Sequence, residues 1–222
     1  MIQSPTTGSA ETLSRARTRM VERQLCARGI SDVRVLQAMN DVPREAFVPE
    51  ADRESAYADC PLPIDHHQTI SQPYTVAFMC EALRLTGSER LLEIGTGSGY
   101  AASVLSRLAS RVYSIERIPE LAQSARQRVA ALGYTNVEIL CGDGTLGVPE
   151  EAPFDAIIVA AGAPELPPAY ASQIADGGRI VIPIGHAKSH QRMCRFTRHC
   201  HDLRSEDLGG FAFVPLIGQR GW

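Results

Sequence analysis

Several features that mark specialised classes of protein are missing from this chain of 222 residues. It has no uninterrupted apolar stretch long enough to cross a membrane, and residues 1–10 lack the basic and apolar segments of a secretory signal. Its six cysteines form no Cys-x-x-Cys pair, and several lie in apolar runs, which favours reduced, buried thiols. We therefore expect a cytoplasmic protein with a flexible tail at residues 1–10.

An excess of charge of either sign is missing too. The net charge is −3 at pH 7, with 44% hydrophobic and 21% charged residues, as in an ordinary soluble globular protein. Such a charge gives no general attraction to nucleic acid or to an anionic membrane, so we expect neither as a partner. The early arginines fit the solvated face of an amphipathic helix better than a nucleic-acid patch; they are Arg15, Arg17, Arg19, Arg23 and Arg28.

A glycine-rich segment carries most of the functional information: Leu92–Tyr100, with the sequence LEIGTGSGY. The apolar run predicts a strand, the three alternating glycines predict a tight turn, and the helix-like stretch predicts a helix. Glycine is needed in such a turn because a Cβ would block a ligand's approach to the backbone or clash at positive φ. The helix N-terminus then presents unpaired N–H groups to an anionic or polar ligand. The Gly-x-Gly-x-Gly spacing disfavours a nicotinamide dehydrogenase, which uses Gly-x-Gly-x-x-Gly.

Acidic residues follow two further apolar runs at informative positions. Glu116 lies about 20 residues beyond the glycines, where a nucleotide-binding α/β unit places a carboxylate on ribose hydroxyls. Asp143 comes shortly after the run Val137–Cys141. Since open α/β sheets bind ligands at the carboxyl ends of their strands, we expect both acids at one site. Each acid alone could be a helix cap or a turn residue, but the ordered set of three features favours a ligand site.

The order of predicted elements indicates one α/β domain. Short apolar runs that alternate with helices are typical of a parallel sheet covered on both faces. No helix separates the runs 191–199 and 211–217, so we predict an antiparallel edge pair there. Strands are predicted at 90–94, 112–116, 137–141, 154–160 and 179–184, and helices at 11–28, 33–39, 75–85, 100–109, 119–132 and 167–175. The single predicted domain spans 1–222, with a helical and active-site loop layer at 11–85 and an α/β core at 86–222.

A nucleotide-binding α/β sheet with an antiparallel edge pair is the plan of the class I S-adenosylmethionine-dependent methyltransferases, and short motifs make the resemblance closer. Besides the glycine loop, they are VPREAFVP at 42–49, PLPI at 61–64, QTISQP at 68–73 and FVPL at 213–216. Together they resemble the protein-L-isoaspartate O-methyltransferase family, in register from about Arg19 to Trp222. The Thr-Ile-Ser-x-Pro segment is far more specific to this family than the glycine loop.

This resemblance implies a doubly wound, mostly parallel seven-stranded sheet with an N-terminal helical layer, and S-adenosyl-L-methionine as cofactor. Gly95, Gly97 and Gly99 would cradle the methionine part, Glu116 would accept hydrogen bonds from both ribose hydroxyls, and Asp143, followed by Gly144, would accept from the adenine amino group. Further cofactor-binding candidates are Gln68, Thr69, Ile70 and Gln191. Glu93 is expected to support the site from its strand or to be purely structural.

Ser71 is the predicted catalytic residue. Methyl transfer to a carboxylate needs few catalytic side chains. A carboxylate is ionised at neutral pH, so no strong general base is needed. The reaction needs alignment of the reacting groups and exclusion of water. No nucleophile–base pair is obvious near the motifs, and in the family this serine occupies the active site. An alternative and compatible role for Ser71 is the N-cap of a helix that begins near Pro73.

The resemblance implies methylation of the α-carboxylate of L-isoaspartyl residues in damaged proteins or peptides. The ester would then collapse to a succinimide, which lets the backbone revert to normal aspartate. Two alternatives stay open: a related carboxyl methyltransferase for one dedicated peptide or small acid, and a non-catalytic cofactor-binding module. Ser71 and the intact glycine loop argue against the module.

Two loops depart from the family's pattern. The segment that normally resembles Ile-Gly-His-Gly-Gln is IDHHQ at 64–68, so a positive φ at Asp65 or His67 would carry a cost. The loop 186–190, often glycine-rich, is HAKSH. Both loops are expected to border the substrate entrance, where they leave the reaction class unchanged and the substrate preference open.

Histidines and cysteines are dense near the end of the chain and suggest zinc ligands. The residues are His186, His190, Cys194, His199, Cys200 and His201. The spacing along the predicted strand spreads them over both faces of the sheet. We therefore favour incidental surface histidines and predict no metal site.

Overall fold

A seven-stranded sheet lies at the centre of the computed structural model, which describes residues 7–187, 190–200 and 202–222. Residues 1–6 of the predicted tail lie outside this range. The strands are β1 (Leu62–Ile64), β2 (Gln68–Ile70), β3 (Arg90–Ile94), β4 (Arg111–Glu116), β5 (Val137–Cys141), β6 (Phe154–Val159), β7 (Ile174–Ala187), β8 (His190–His199) and β9 (Asp202–Phe211). The α-helices are α1 (Thr7–Met20), α2 (Val33–Asp41), α3 (Pro73–Leu83), α4 (Tyr100–Leu105), α5 (Pro119–Ala131) and α6 (Pro168–Gln173).

The sheet is parallel over five strands and antiparallel at one edge. Its order is β5-β4-β3-β6-β7-β8-β9, with β8 and β9 as the antiparallel pair. Parallel neighbours need crossover connections, and α4, α5 and α6 lie within three of them. The strands β1 and β2 form a separate antiparallel hairpin. The α/β fold predicted from the sequence, with its seven strands and antiparallel edge, is confirmed.

The outermost strand lies earlier in the chain than predicted. The sequence predicted it at 211–217, whereas β9 spans Asp202–Phe211 and pairs with β8. The prediction was wrong because β9 is polar and largely exposed, as edge strands commonly are, so no apolar run marks it. The residues after β9 instead cross the end of the sheet, where Gly162 makes backbone hydrogen bonds with Val214 and Leu216. Smaller differences concern β7, which begins at Ile174 rather than at 179, and α4, which ends at Leu105 rather than at 109.

The central strands are buried on both faces, which explains their continuous apolar runs. Leu91 packs in one hydrophobic cluster with residues of the N-terminal helices, and Leu92 packs in a second cluster with Phe154 and Tyr170. Both leucines have 0% of their surface exposed. Successive side chains of a strand point to opposite faces, so β3 is fixed from both sides and its carboxyl end is held firmly in place.

The N-terminal segment is helical, and α1 starts at Thr7 rather than at residue 11. After α1, a π-helical turn (Val21–Leu25) and a 3-10 turn (Cys26–Arg28) continue the chain. Asp32 caps α2, because its Oδ1 accepts hydrogen bonds from the backbone N–H groups of Arg34, at 2.8 Å, and Val35, at 3.3 Å.

The expectation of buried cysteines was wrong for four of the six. Cys80 is buried and Cys194 is half-buried, whereas Cys26, Cys60, Cys141 and Cys200 are exposed. Cys141 ends β5, Cys26 begins the 3-10 turn that follows the π-helical turn, and Cys60 and Cys200 lie in connections between elements, so none of the four is enclosed in the core. All six are free thiols in the structure.

No helix among the described residues combines the length and the apolar character that crossing a membrane requires. The division of the chain into tail, helical layer and α/β core within one domain stays a prediction.

The Asp32 cap leads to a test of stability. We expect Asp32→Ala to lower the free energy of unfolding by about 0.5–2 kcal/mol, because two backbone donors of α2 lose their acceptor. Asp32→Asn is the matched control, since asparagine caps helices about as well as aspartate. Urea unfolding of the three proteins measures the difference. Equal stability of the alanine variant and the wild type would show that water replaces the cap at no cost.

Candidate active site

A pocket opens where parallel strands of the sheet end side by side. The carboxyl ends of β3, β4 and β6 border it, together with β2, α3 and the chain that follows β9. Open α/β sheets bind ligands at this edge. The lining residues are Gln68, Thr69, Ile70, Ser71, Val76, Met79, Glu93, Ile94, Gly95, Thr96, Gly97, Ser98, Tyr100, Ala101, Ile115, Glu116, Arg117, Gly144, Ile158, Ala160, Ala161, Val214, Pro215, Leu216 and Ile217.

Most of the residues that the sequence singled out lie in this lining. They are Gln68, Thr69, Ile70, Ser71, Gly95, Gly97, Glu116 and Gly144. They come from four separate stretches of chain that the fold brings to one place. Gly99, Asp143 and Gln191 do not line the pocket.

The glycine loop is fixed by a bond between neighbouring strand ends. The N–H of Gly97 donates a hydrogen bond to Oε2 of Glu116 at 2.9 Å. Gly97 has φ +52°, and a Cβ there would come no closer than 3.5 Å to Ile64, its nearest neighbour. The backbone conformation, rather than a clash within the chain, therefore favours glycine at this position. The space beside it stays open toward the pocket.

Glu116 ends β4 with its carboxylate held in one orientation. Besides the Gly97 bond, its Oε1 accepts from the backbone N–H of Ile118 at 3.1 Å. The residue is 6% exposed and lines the pocket. A carboxylate oxygen has two lone pairs, so each oxygen can accept a further hydrogen bond from a ligand.

Glu93 is a second carboxyl group at the pocket, and it is fully enclosed. Its Oε2 accepts a hydrogen bond from the Ser114 hydroxyl, which also contacts Thr96. Its Oε1 is buried with no hydrogen-bond partner among the described residues. Burial, the largest influence, raises the pKa of Glu93 to about 8; the Ser114 hydrogen bond opposes this rise, and the charge of Glu116 adds to it.

Ser71 lies between the end of β2 and Pro73, the first residue of α3. It is half-buried and lines the pocket. The N-cap of α3 is Gln72, so the alternative role of Ser71 as a helix cap was wrong. No hydrogen bond to the Ser71 hydroxyl is found within the described chain. The hydroxyl is therefore available at the surface of the pocket.

Gly99 and Gln191, two of the predicted cofactor-binding residues, do not line the pocket but make contacts that support the chain around it. Gly99 is the N-cap of α4 at φ +88°, and a Cβ there would meet Val129 at 3.1 Å. Gln191 is 2% exposed, and its Oε1 accepts from the backbone N–H of Phe213 at 2.9 Å. It also packs so close to Gly162 that a Cβ there would lie 2.8 Å from its side chain. Gln191 thus anchors the chain that follows β9.

Asp143 precedes the lining residue Gly144 and is bonded on both carboxylate oxygens. Oδ1 accepts from the Thr145 backbone N–H at 2.9 Å and from the Thr145 hydroxyl at 2.6 Å. Oδ2 accepts from the backbone N–H of Gln219 at 2.8 Å. Burial alone would raise the pKa of Asp143, but the hydrogen bonds from Gln219 and Thr145 outweigh it and lower the pKa below its usual value.

Val214–Ile217 also line the pocket, a contribution that was not predicted from the sequence. These residues were predicted to lie in an edge strand, but they line the pocket together with Ser71. The FVPL motif carried the signal, because a proline within an apolar run argues against a paired strand.

The two unusual loops differ in how they are placed. His66 and His67 have φ values of +58° and +57°, a conformation that favours glycine, whereas Asp65 does not. In the loop 186–190, Lys188 and Ser189 lie outside the described residues. Among the described residues, no group of three or more histidine, cysteine or acidic side chains is placed to hold a metal ion; His201 is outside that range.

Comparison with known proteins identifies the relatives of the chain. The family model described as Protein-L-isoaspartate(D-aspartate) O-methyltransferase matches residues 15–221. Protein-L-isoaspartate O-methyltransferase 2 of Pelobacter propionicus is 59% identical over 204 residues, which cover 91% of each chain. Protein-L-isoaspartate O-methyltransferase 1 of Rhodopseudomonas palustris is 54% identical over 219 residues, 98% of this chain and 89% of the relative.

A solved structure from Plasmodium falciparum agrees with these matches. It is described as a protein-L-isoaspartate O-methyltransferase in complex with S-adenosyl-L-homocysteine, and it has a TM-score of 0.77 and 27% identity. The match covers 90% of this chain and 98% of that one. Because the family model spans nearly the whole chain and the curated relatives are more than half identical to it, the chain belongs to the protein-L-isoaspartate(D-aspartate) O-methyltransferase family.

Proposed function

We propose that the chain transfers a methyl group from S-adenosyl-L-methionine to the α-carboxylate of L-isoaspartyl residues in damaged proteins and peptides. The observation that carries the proposal is the Ser71 hydroxyl, which has no hydrogen-bond partner among the described residues and lines the same pocket as Gly97 and Glu116. The family and its relatives supply the reaction class. The six free cysteines support a reducing compartment, so we place the enzyme in the cytoplasm.

The pocket's residues fit the proposed donor. The open space beside Gly97 allows close approach to the backbone, and Glu116 has lone pairs left for ribose hydroxyls. The buried Oε1 of Glu93 has no hydrogen-bond partner in the described chain, which is costly unless a ligand supplies a hydrogen-bonding group, or a positive charge that stabilises the ionised form. Gln68, Thr69 and Ile70 would form a further part of the wall, and Gly95 and Gly144 would add backbone surface to it.

When bound, the donor supplies a sulfonium-activated methyl group. The chain's own task is to align a substrate carboxylate with that methyl and to exclude water from the pocket. The substrate carboxylate is ionised at neutral pH, so none of these residues has to remove a proton from it. The Ser71 hydroxyl would donate a hydrogen bond to the carboxylate and hold it in the attacking orientation. The α-ester formed in this way closes to a succinimide when the neighbouring backbone nitrogen attacks it and methanol leaves.

One assay tests the proposed function directly. Purified protein is incubated with methyl-labelled donor and one of two peptides that differ only in isoaspartate or aspartate at one position. We expect label in the isoaspartyl peptide and none above background in the aspartyl peptide. A small carboxylic acid methylated in preference to both peptides would indicate a dedicated small-molecule enzyme. Tight donor binding without any transfer would indicate a non-catalytic module.

Glu116 provides a test of the ribose contact. We expect Glu116→Gln to weaken S-adenosylhomocysteine binding by about 1–3 kcal/mol, because a charged acceptor becomes neutral and half of it becomes a donor. Isothermal titration calorimetry measures the dissociation constants. Glu120→Gln, an exposed substitution in the first turn of α5, is the control. Equal affinity of the Glu116 variant and the wild type would remove Glu116 from the proposed binding site.

Ser71 provides a test of the positioning of the acceptor. We expect Ser71→Ala to lower the single-turnover rate by about 5–150-fold, the effect of losing one hydrogen bond of about 1–3 kcal/mol in the transition state. The affinity for S-adenosylhomocysteine and the melting temperature should stay near the wild-type values, because the hydroxyl has no partner within the described chain. Ser205→Ala, in exposed β9, is the control. A variant that methylates at the wild-type rate would contradict the role of Ser71.

Glu93 provides a test of pH dependence. Its folded pKa of about 8 lies above the usual value of 4.5, so the fold favours the protonated form. The groups that face it are Ser114, Glu116 and the buried thiol of Cys80. Stability from this group is complete below pH 4.5 and is lost as the pH rises toward 8, at up to roughly 1.4 kcal/mol per pH unit.

We therefore expect Glu93→Gln to be less sensitive to pH than the wild type across that window. Urea unfolding at several pH values measures the slope for each protein, and Glu54→Gln, on the surface, is the control. Parallel slopes for the wild type and the Glu93 variant would show that Glu93 is not protonated in the folded protein.

A further inference from the structure

The segment that carries Ser71 is short and lies between two buried residues. Ile70, which ends β2, is 4% exposed, and Pro73, the first residue of α3, is buried. Ser71 and Gln72 lie between them, and both are half-buried. The side chain of Gln72, the N-cap of α3, makes no capping hydrogen bond to the helix. The position of the Ser71 hydroxyl therefore depends on what else holds these two residues.

The side chain of Gln72 is bonded to a carboxylate from an earlier part of the chain. Its Nε2 donates a hydrogen bond to Oδ1 of Asp59 at 2.6 Å. Asp59 lies in the connection between a 3-10 turn (Glu50–Ser55) and β1. The bond thus joins the chain before the β1–β2 hairpin to the chain after it, just beyond the paired residues Leu62 and Ile70.

Arg28 binds the same carboxylate. Its Nη1 lies 3.0 Å from Oδ2 and 3.3 Å from Oδ1 of Asp59. Its guanidinium carbon also lies 3.6 Å from the ring centroid of Tyr74, the second residue of α3. One guanidinium therefore fixes both the carboxylate that holds Gln72 and the first turn of the helix that follows.

The chain just before Asp59 is attached to the N-terminal part of the protein. The carbonyl of Ala56 accepts a hydrogen bond from Nε of Arg44 at 2.7 Å, and the carbonyl of Tyr57 accepts one from Nε2 of Gln24 at 2.8 Å. Ala56 is 0% exposed and Tyr57 is 6% exposed. Asp59 thus extends from a firmly packed segment, so it can fix Gln72 rather than follow its movements.

The exposure of this contact argues against a purely stabilising role. The side chains of Arg28 and Asp59 are 41% and 42% exposed, and ion pairs exposed to this degree contribute little to stability. The rate of a transfer reaction depends more steeply on geometry, because a displacement of about 1 Å can cost about 100-fold. A contact that adds little to the free energy of unfolding can therefore matter to the rate.

We propose that Asp59 is a positioning residue for the reaction, which holds Ser71 through Gln72 so that the hydroxyl meets the substrate carboxylate. The proposal rests on the proposed function, in which the Ser71 hydroxyl orients that carboxylate. Ser71 lines the pocket, whereas Asp59 and Gln72 do not. The effect of Asp59 on the reaction is therefore transmitted through Ser71.

Three variants separate positioning from a general loss of structure. Asp59→Ala removes the acceptor of the Gln72 amide, and Gln72→Met removes the donor but keeps a side chain of similar length. Asp59→Asn keeps an acceptor oxygen for Gln72 and loses the charge that faces Arg28. Asp41→Ala is the matched control, because Oδ1 of exposed Asp41 also accepts from a glutamine amide, that of Gln37, at 2.7 Å. Thermal melting verifies that each protein is folded at the temperature of the assay.

The main measurement is the single-turnover rate of methyl transfer to the isoaspartyl peptide at saturating donor and peptide. We expect Asp59→Ala and Gln72→Met to lower this rate by about 3–30-fold, Asp59→Asn to recover most of the loss, and Asp41→Ala to match the wild type. The dissociation constant for S-adenosylhomocysteine, measured by calorimetry, should stay within about twofold of the wild-type value. In a Ser71→Ala background, Asp59→Ala should change the rate by no more than about twofold, because the hydroxyl that it positions is gone.

Each other outcome contradicts a definite statement. An active wild type whose rate is matched by both Asp59→Ala and Gln72→Met would overturn the inference and leave the proposed function intact. The inference would also fail if Asp59→Ala slowed transfer by the same factor with and without the Ser71 hydroxyl, or if rate and donor affinity fell together. If Asp59→Ala does not fold, Gln72→Met tests the same bond from its other end. A wild type inactive on the isoaspartyl peptide would contradict the proposed function and the inference with it.

Discussion

The hydrogen bond from the Gly97 N–H to the Glu116 carboxylate joins the ends of two neighbouring strands, and the rest of the site depends on it. β3 and β4 are parallel and in register, with Ile94 beside Ile115, so the loops that follow them begin at the same level. The bond fixes the first loop, and a second bond from the Ile118 N–H fixes the carboxylate itself. The shape of the pocket is therefore set without a ligand, which lowers the cost of ordering groups when one binds.

Two acidic side chains in one enclosed site impose an electrostatic constraint. Glu93 and Glu116 repel each other when both are ionised, and burial of Glu93 makes its ionised form still less favourable. A cation in the pocket would relieve both effects, since an opposite charge stabilises a carboxylate most strongly in a poorly solvated site. The proposed donor carries a sulfonium charge that its demethylated product lacks. The same carboxyl groups thus favour the reactant over the product, which assists release after transfer.

The sequence predicted the parts of the molecule whose local chemistry is unambiguous. Continuous apolar runs predicted the central strands, which are buried on both faces of the sheet. The alternating glycines predicted the turn after β3. It did not predict β9, because an exposed edge strand needs no apolar face. Nor could it place Gln191, whose partner Phe213 is distant along the chain and is brought near it only by the pairing of β8 with β9. Residues held in place by long-range backbone contacts, such as the chain that follows β9, leave no periodic signal in the sequence.

The outer edge of the sheet has a consequence for how copies of the chain behave together. β9 is the last strand in the sheet, and within the described residues no strand covers its outer side. An uncovered edge can recruit the edge of another molecule and start aggregation. Here the pairing of β8 with β9 is irregular near Arg192, which forms a salt bridge with Asp207, and Gly209 adopts φ +117°. The bulge and the charged side chains interrupt this edge near one end of β9, which shortens the straight row of donors and acceptors that a second molecule could pair with.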